Sequence, residues 1–121
     1  MKHPDSLFLY VESAKMSADF FSRLFESPIV ESSENFAMIA LPSGQILGLW
    51  AAHDVSPKPT SPAGGFEIGV TLKTDAQTDE AFAQAHAMGA RIIQDPVVLD
   101  FGYTFVLASP DGHLVRVFAP H

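Results

Sequence analysis

Two residues of opposite charge, Glu67 and Arg116, interrupt apolar segments that have the composition of β-strands. A lone charge in an apolar core is costly, so both side chains are expected on the sheet face that the helices leave uncovered. On such a face a carboxylate and a guanidinium can neutralise each other or anchor a polar ligand group, and the carboxylate can act as a general base.

Aromatic and small residues fall on the same predicted face, because side chains alternate between the two faces of a strand. Trp50 is the only tryptophan of the chain and can stack on a flat aromatic ligand. Glycines inside a strand leave room for something to approach the backbone. The segment 95–105, with Asp100, Phe101 and Tyr103, is expected at the rim. The predicted ligand-binding residues are Trp50, Phe8, Tyr10, Met38, Gly48, Glu67, Gly69, Arg116, Phe118 and Tyr103. The alternative for each aromatic residue is simple packing.

The chain contains an internal repeat that places these residues. "LPSGQILGLWAAH" (41–53) matches "SPDGHLVRVFAPH" (109–121) in its proline, glycine, alanine and histidine positions. Each half reads as a strand, a helix and three more strands. The predicted strands are 6–12, 28–32, 36–41 and 45–51, then 66–73, 91–98, 103–108 and 113–119. Ser13 and Thr74 are expected to cap the two helices.

Composition limits the possible functions of the chain. It has 121 residues, a hydrophobic content of 47% and a net charge of −7, which suits one folded domain and disfavours nucleic acid or a membrane as partner. It has no cysteine, and its start has no long apolar run, so a cytoplasmic location is expected. The proline-rich stretch 53–65 is predicted to link module one (1–53) to module two (66–121) within a single domain, 1–121.

The βαβββ order, together with "PDGHLVRVF" near the end, resembles the vicinal oxygen chelate superfamily, which includes glyoxalase I, extradiol dioxygenases and bleomycin-resistance proteins. Through "FFSRLF", "ILGLW" and "FEIGV" the chain is most similar to the small, metal-free branch that gives resistance to phenazine antibiotics. The resemblance implies an α+β fold in which two βαβββ modules form a curled mixed sheet around a cup. It also implies a homodimer, whose modules pair within one chain or are exchanged between two.

Enzymes of this superfamily usually hold a metal with His and Glu ligands on the first and last strand of each module. The resemblance carries those positions onto Ser6, Gly48, Glu67 and Arg116, of which only Glu67 is a good ligand. The five histidines are expected in turns, termini or solvent. We therefore expect no metal, no other cofactor and no catalytic residue.

The favoured function is binding and sequestration of a planar aromatic antibiotic or similar small molecule. Two enzymatic alternatives remain: a glyoxalase or dioxygenase with an unrecognised metal site, and a metal-free enzyme with Glu67 as general base. A regulatory or structural module is a third possibility.

Overall fold

The computed structural model describes residues 1–121. It divides into two compact units, Met1–Pro62 and Ala63–His121. The division falls inside the stretch 53–65 that the sequence marks as a linker. Each unit contains one helix and one four-stranded sheet, so the predicted βαβββ order is confirmed twice.

Unit 1 forms a mixed sheet in which the first strand lies beside the last. Strands β1 and β4 run parallel, and the remaining neighbours are antiparallel, in the order β1-β4-β3-β2. Ser13 begins the helix as predicted, because its side chain accepts a hydrogen bond from the Met16 amide at 3.2 Å. The elements are β1 (Ser6–Val11), α1 (Ala14–Phe25), β2 (Ile29–Ser32), β3 (Phe36–Ala40), β4 (Ile46–Ala51) and a 3₁₀ turn (Ala52–Asp54).

The core of unit 1 lies between α1 and one face of its sheet. Leu9, Leu47 and Leu49 alternate with residues of the other face and are fully buried, as is Phe21 of the helix. Strand alternation predicts Leu7 on the same buried face, but it is exposed because it lies near the start of β1, an edge strand of the sheet. The opposite face is left without a helix of its own unit.

Unit 2 repeats this topology in the order β5-β8-β7-β6. Thr74 caps α2 as predicted, and it does so in a capping box: the Thr74 side chain accepts from the Gln77 amide at 3.1 Å, and the Gln77 side chain accepts from the Thr74 amide at 3.3 Å. His113 differs from its expected solvated position, since it is buried at the start of the last strand. The elements are β5 (Glu67–Thr71), α2 (Asp75–Ala87), β6 (Arg91–Leu99), β7 (Gly102–Ala108) and β8 (Leu114–Pro120).

The repeated turns have the same geometry in both units. Gly44 and Gly112 each have a φ of 91°, and each donates its amide hydrogen at 2.9 Å to the carbonyl three residues earlier. A side chain is disfavoured at this positive φ, which explains why both copies of the turn contain glycine. The duplicated sequence therefore encodes a duplicated backbone.

None of the helices is long and apolar enough to cross a membrane.

Candidate functional site

The uncovered sheet face of unit 1 carries an aromatic cluster. We call Phe8, Tyr10, Phe36 and Trp50 the unit 1 aromatic face. Tyr10 lies directly beside Trp50 in the parallel strand pair, with ring centroids 6.5 Å apart in an edge-to-face arrangement. Phe36 meets the other side of Trp50 at 6.3 Å, also edge to face. Phe8 is 54% exposed and Tyr10 43% exposed, which is unusual for rings of this size on a sheet.

Three of these rings line an open cleft. Phe8, Phe36 and Trp50 line an opening of about 390 Å³ on unit 1. Ligand sites are typically concave and lined by apolar and aromatic groups, and this volume lies in their usual range. The cleft thus has the size and the apolar lining to hold a flat apolar molecule.

A hydrogen bond fixes the orientation of the indole at this cleft. Trp50 Nε1 donates to Asp54 Oδ2 at 3.0 Å, and Asp54 lies in the 3₁₀ turn that directly follows β4. The polar edge of the ring is therefore satisfied within the protein, and a ligand meets the ring without having to supply a partner for its N–H.

Gly48 does not provide the empty space that the sequence predicts. A Cβ built on Gly48 would lie 2.6 Å from Cδ1 of Phe8 and 3.2 Å from Cζ of Phe36. Phe8 is the direct neighbour of Gly48 across the parallel strands, and its ring rests on the glycine backbone. The missing side chain makes room for an aromatic ring of the protein itself.

Phe36 is a residue that sequence reasoning missed. Met38, which the sequence does place on this face, is half-buried and pairs with Gly48. Phe36 precedes Met38 by two positions and pairs with Trp50, so strand alternation applied once more identifies it.

Glu67 and Arg116 form the predicted ion pair on the corresponding face of unit 2. Arg116 Nε donates to Glu67 Oε1 at 2.8 Å, and Nη2 donates to Oε2 at 2.9 Å, which is a bidentate arrangement. Arg116 Nη1 also donates to Thr104 Oγ1 at 3.3 Å and reaches Gln94 Oε1 at 3.5 Å. Thr104 is completely buried and donates to the Val117 carbonyl, so the guanidinium is tied to the sheet.

The ion pair makes Glu67 a weak base. Hydrogen bonds and charge from Arg116 lower the pKa of the Glu67 carboxyl, and these effects outweigh the desolvation that would raise it. A general base near neutral pH needs the opposite shift. The geometry therefore favours an electrostatic and structural role for Glu67.

We expect Glu67→Gln to lose roughly 0.5–1 kcal/mol of folding stability at pH 7, since the pair is partly exposed. The pKa of Glu67 is lower in the folded chain than its ordinary value of 4.5, so the stabilisation is present above that value and is lost as the pH falls through the folded pKa. Urea denaturation at pH 7 and pH 3 should show the difference from wild type shrinking at pH 3. Glu80→Gln, at an exposed position of α2, is the control. A pH-independent difference would contradict the ion pair.

Phe118 lies on the same face of unit 2 as the ion pair, together with a ring from the rim segment. The Phe101 ring stands edge to face against Phe118 at 5.5 Å, and the Arg116 guanidinium carbon lies 5.7 Å from the Phe101 centroid. The space at Gly69 is open, since a Cβ there would meet only the Phe118 ring edge at 4.0 Å. Gly69 thus leaves the room that Gly48 does not.

Tyr103 is not on this face, contrary to its predicted place among the ligand-binding residues. Its hydroxyl donates to Asp79 of α2 at 2.6 Å, and its strand partner is Ala119, a buried residue of the helix-facing set. This bond raises the pKa of the Tyr103 hydroxyl. Strand β7 begins at Gly102, so alternation puts Thr104 beside the ion pair and Tyr103 on the helix side.

The residues at the superfamily's metal positions do not fit a metal. Gly48 offers no donor, and the Phe8 ring fills the place where one would lie. The Ser6 hydroxyl donates to Asp5, and both oxygens of Glu67 accept from the permanent cation of Arg116. Within either unit, no three His, Asp or Glu side chains come together as a set of metal ligands.

Two βαβββ units with an uncovered aromatic sheet face define a protein of the glyoxalase and bleomycin-resistance fold. The chain belongs to the Glyoxalase/Bleomycin resistance protein/Dioxygenase superfamily, whose family model matches residues 3–117.

The chain is similar to a curated resistance protein and to several solved structures. It is 25% identical to the phenazine antibiotic resistance protein EhpR of Enterobacter agglomerans, over 94% of this chain and 89% of that protein. It is 42% identical to protein ATC0852 from Agrobacterium tumefaciens, with a TM-score of 0.91 over 100% of this chain and 99% of that one. A glyoxalase-related enzyme from Fulvimarina pelagi shares the fold at 18% identity, with a TM-score of 0.84 over 98% and 88% of the two chains.

Proposed function

We propose that the chain binds and sequesters a planar aromatic small molecule of the phenazine class, without a metal. The observation that carries the proposal is the cleft of about 390 Å³ lined by Phe8, Phe36 and Trp50. The Phe8 ring and the neighbouring Tyr10 ring are about half exposed to solvent. Leaving such rings exposed costs hydrophobic stabilisation that a flat ligand restores. The similarity to EhpR, a phenazine antibiotic resistance protein, supports the ligand class.

The uncovered face of unit 2, taken by itself, also suits this class of ligand. There Phe118 and Phe101 offer ring edges beside an ion pair, and Gly69 leaves open space. Four of the five Arg116 N–H groups are engaged by Glu67, Thr104 and Gln94, so Arg116 adds polarity more than free positive charge. A partly polar heteroaromatic molecule suits this face better than a pure hydrocarbon.

The enzymatic alternatives receive less support from the geometry. Glu67 is held as a low-pKa carboxylate, which disfavours it as a general base. The metal positions hold a glycine covered by a ring and an arginine in an ion pair. No observation in either unit favours catalysis over binding.

Trp50 fluorescence tests the proposed function directly, because the chain has no other tryptophan. Titration with phenazine-1-carboxylate should quench the emission saturably, with the same Kd in EDTA and in added Mn²⁺. Phe66→Leu is the control: Phe66 is an exposed phenylalanine of unit 2 and is not part of the unit 1 aromatic face, so its loss should leave the Kd unchanged. Absence of quenching, or quenching that requires the metal, would contradict the proposal.

We also propose that the chain is a homodimer, as is common in its superfamily. Exposed apolar side chains on the edge strands β2 and β6, including Val30 and Val98, support an interface. Light scattering should give twice the chain mass of 13.1 kDa. A mass equal to one chain would contradict it.

A further inference from the structure

The close contact of the Phe8 ring with Gly48 is the least expected feature of the unit 1 aromatic face. Gly48 is buried although its neighbours on this face, Phe8 and Tyr10, are exposed. The three heavy atoms nearest to its missing Cβ belong to the rings of Phe8 and Phe36. These two rings therefore cover the glycine.

The Phe8 ring lines the cleft and is 54% exposed. It lies against the Phe36 ring, at a centroid distance of 6.3 Å and a tilt of 36°. Removing this ring would expose the Gly48 backbone as a deeper floor between Phe36 and Trp50. Adding a methyl group at position 48 would push the ring away from the sheet, because the Cβ would lie 2.6 Å from Cδ1 and 2.9 Å from Cε1.

We propose that Phe8, seated on Gly48, determines which size of planar ring system the cleft accepts. The inference rests on the proposed function and names the residue pair that sets its selectivity. When the Phe8 ring lies on Gly48, the cleft is shallow and the ligand lies against a phenyl ring. With Phe8 removed, a larger ring system reaches the backbone of β4. With Gly48 replaced, the phenyl ring occupies part of the cleft.

Calorimetric titration with two probes of different size tests the inference. Phenazine-1-carboxylate has three fused rings and pyrene-1-carboxylate has four. In Phe8→Ala, affinity for pyrene-1-carboxylate relative to phenazine-1-carboxylate should rise about fivefold, roughly 1 kcal/mol. In Gly48→Ala the same ratio should fall about threefold. The double variant Phe8→Ala/Gly48→Ala should keep most of the rise seen in Phe8→Ala, which is more than the two opposite single effects combined, because the new methyl group has no Phe8 ring to displace.

Two controls separate failure of this inference from failure of the proposed function. Gly65→Ala, which has no heavy atom within 4 Å of its new Cβ, should leave the affinity ratio unchanged. By NMR, the α protons of Gly48 should show an upfield ring-current shift that becomes smaller in Phe8→Ala, with no ligand needed. If the wild type binds phenazine-1-carboxylate but the affinity ratio is unchanged in both Phe8→Ala and Gly48→Ala, the role of Phe8 is overturned and the proposed function is not. An absent ring-current shift also overturns it. Binding of neither probe by any variant overturns the proposed function and the inference together.

Discussion

In Trp50→Ala the affinity for phenazine-1-carboxylate should fall by roughly 30-fold, about 2 kcal/mol. Trp50 contributes the largest flat surface of the cleft, and it stands in ring contact with both Tyr10 and Phe36. Its loss removes apolar contact area and a stacking interaction, which is worth roughly 0.5–1.5 kcal/mol by itself. Calorimetry measures the loss, since the variant has no tryptophan emission.

Two further variants show whether the indole acts through its ring. Trp50→Phe keeps an aromatic ring and should lose only about fivefold, roughly 1 kcal/mol. Met16→Ala, which removes an exposed side chain from α1, should bind as wild type does. Equal affinity of wild type and Trp50→Ala would show that the cleft of unit 1 is not the binding site.

Gly102→Ala should destabilise the fold by about 3 kcal/mol. Gly102 opens β7 with a φ of 155°, and a Cβ there would overlap the carbonyl oxygen of Ala119 in the paired strand. The obstacle is backbone, so a rotamer change cannot relieve it. The β7–β8 pairing has to shift, and this pairing holds Thr104 and Arg116 in place.

Urea denaturation measures this effect, and Gly65→Ala is its control. Gly65 lacks a positive φ, and a Cβ there meets no atom within 4 Å, so that substitution should change stability by less than about 0.5 kcal/mol. Wild-type stability in Gly102→Ala would mean that the two strands do not approach each other as closely as the structure shows.

The repeat made the fold predictable from the sequence. Turn residues, helix caps and strand alternation agree within each half and again between the halves, so an error in one copy would conflict with the other. Ser13 and the Thr74–Gln77 capping box therefore mark the helix starts correctly. The same alternation correctly places Leu9 of β1 and Leu49 of β4 on the buried face.

The details of the site were less predictable, because they depend on which neighbour fills each space. Strand alternation places Gly48 on the correct face but cannot show that Phe8 leans across it. Tyr103 was predicted as a ligand-binding residue because it lies in the rim segment 95–105. The face on which its side chain lies depends on β7, which begins at Gly102. Arg116 was predicted to meet Glu67, but its bonds to Thr104 and Gln94 need the register of three strands.

A crystal structure grown with both phenazine-1-carboxylate and Mn²⁺, with anomalous data for the metal, tests the central claim most directly. The account predicts the tricyclic ring against Trp50 and Phe36, and no manganese bound to Glu67. A manganese ion coordinated by Glu67, with Arg116 displaced from the carboxylate, would contradict metal-free binding. The metal-dependent enzyme alternative would then be favoured.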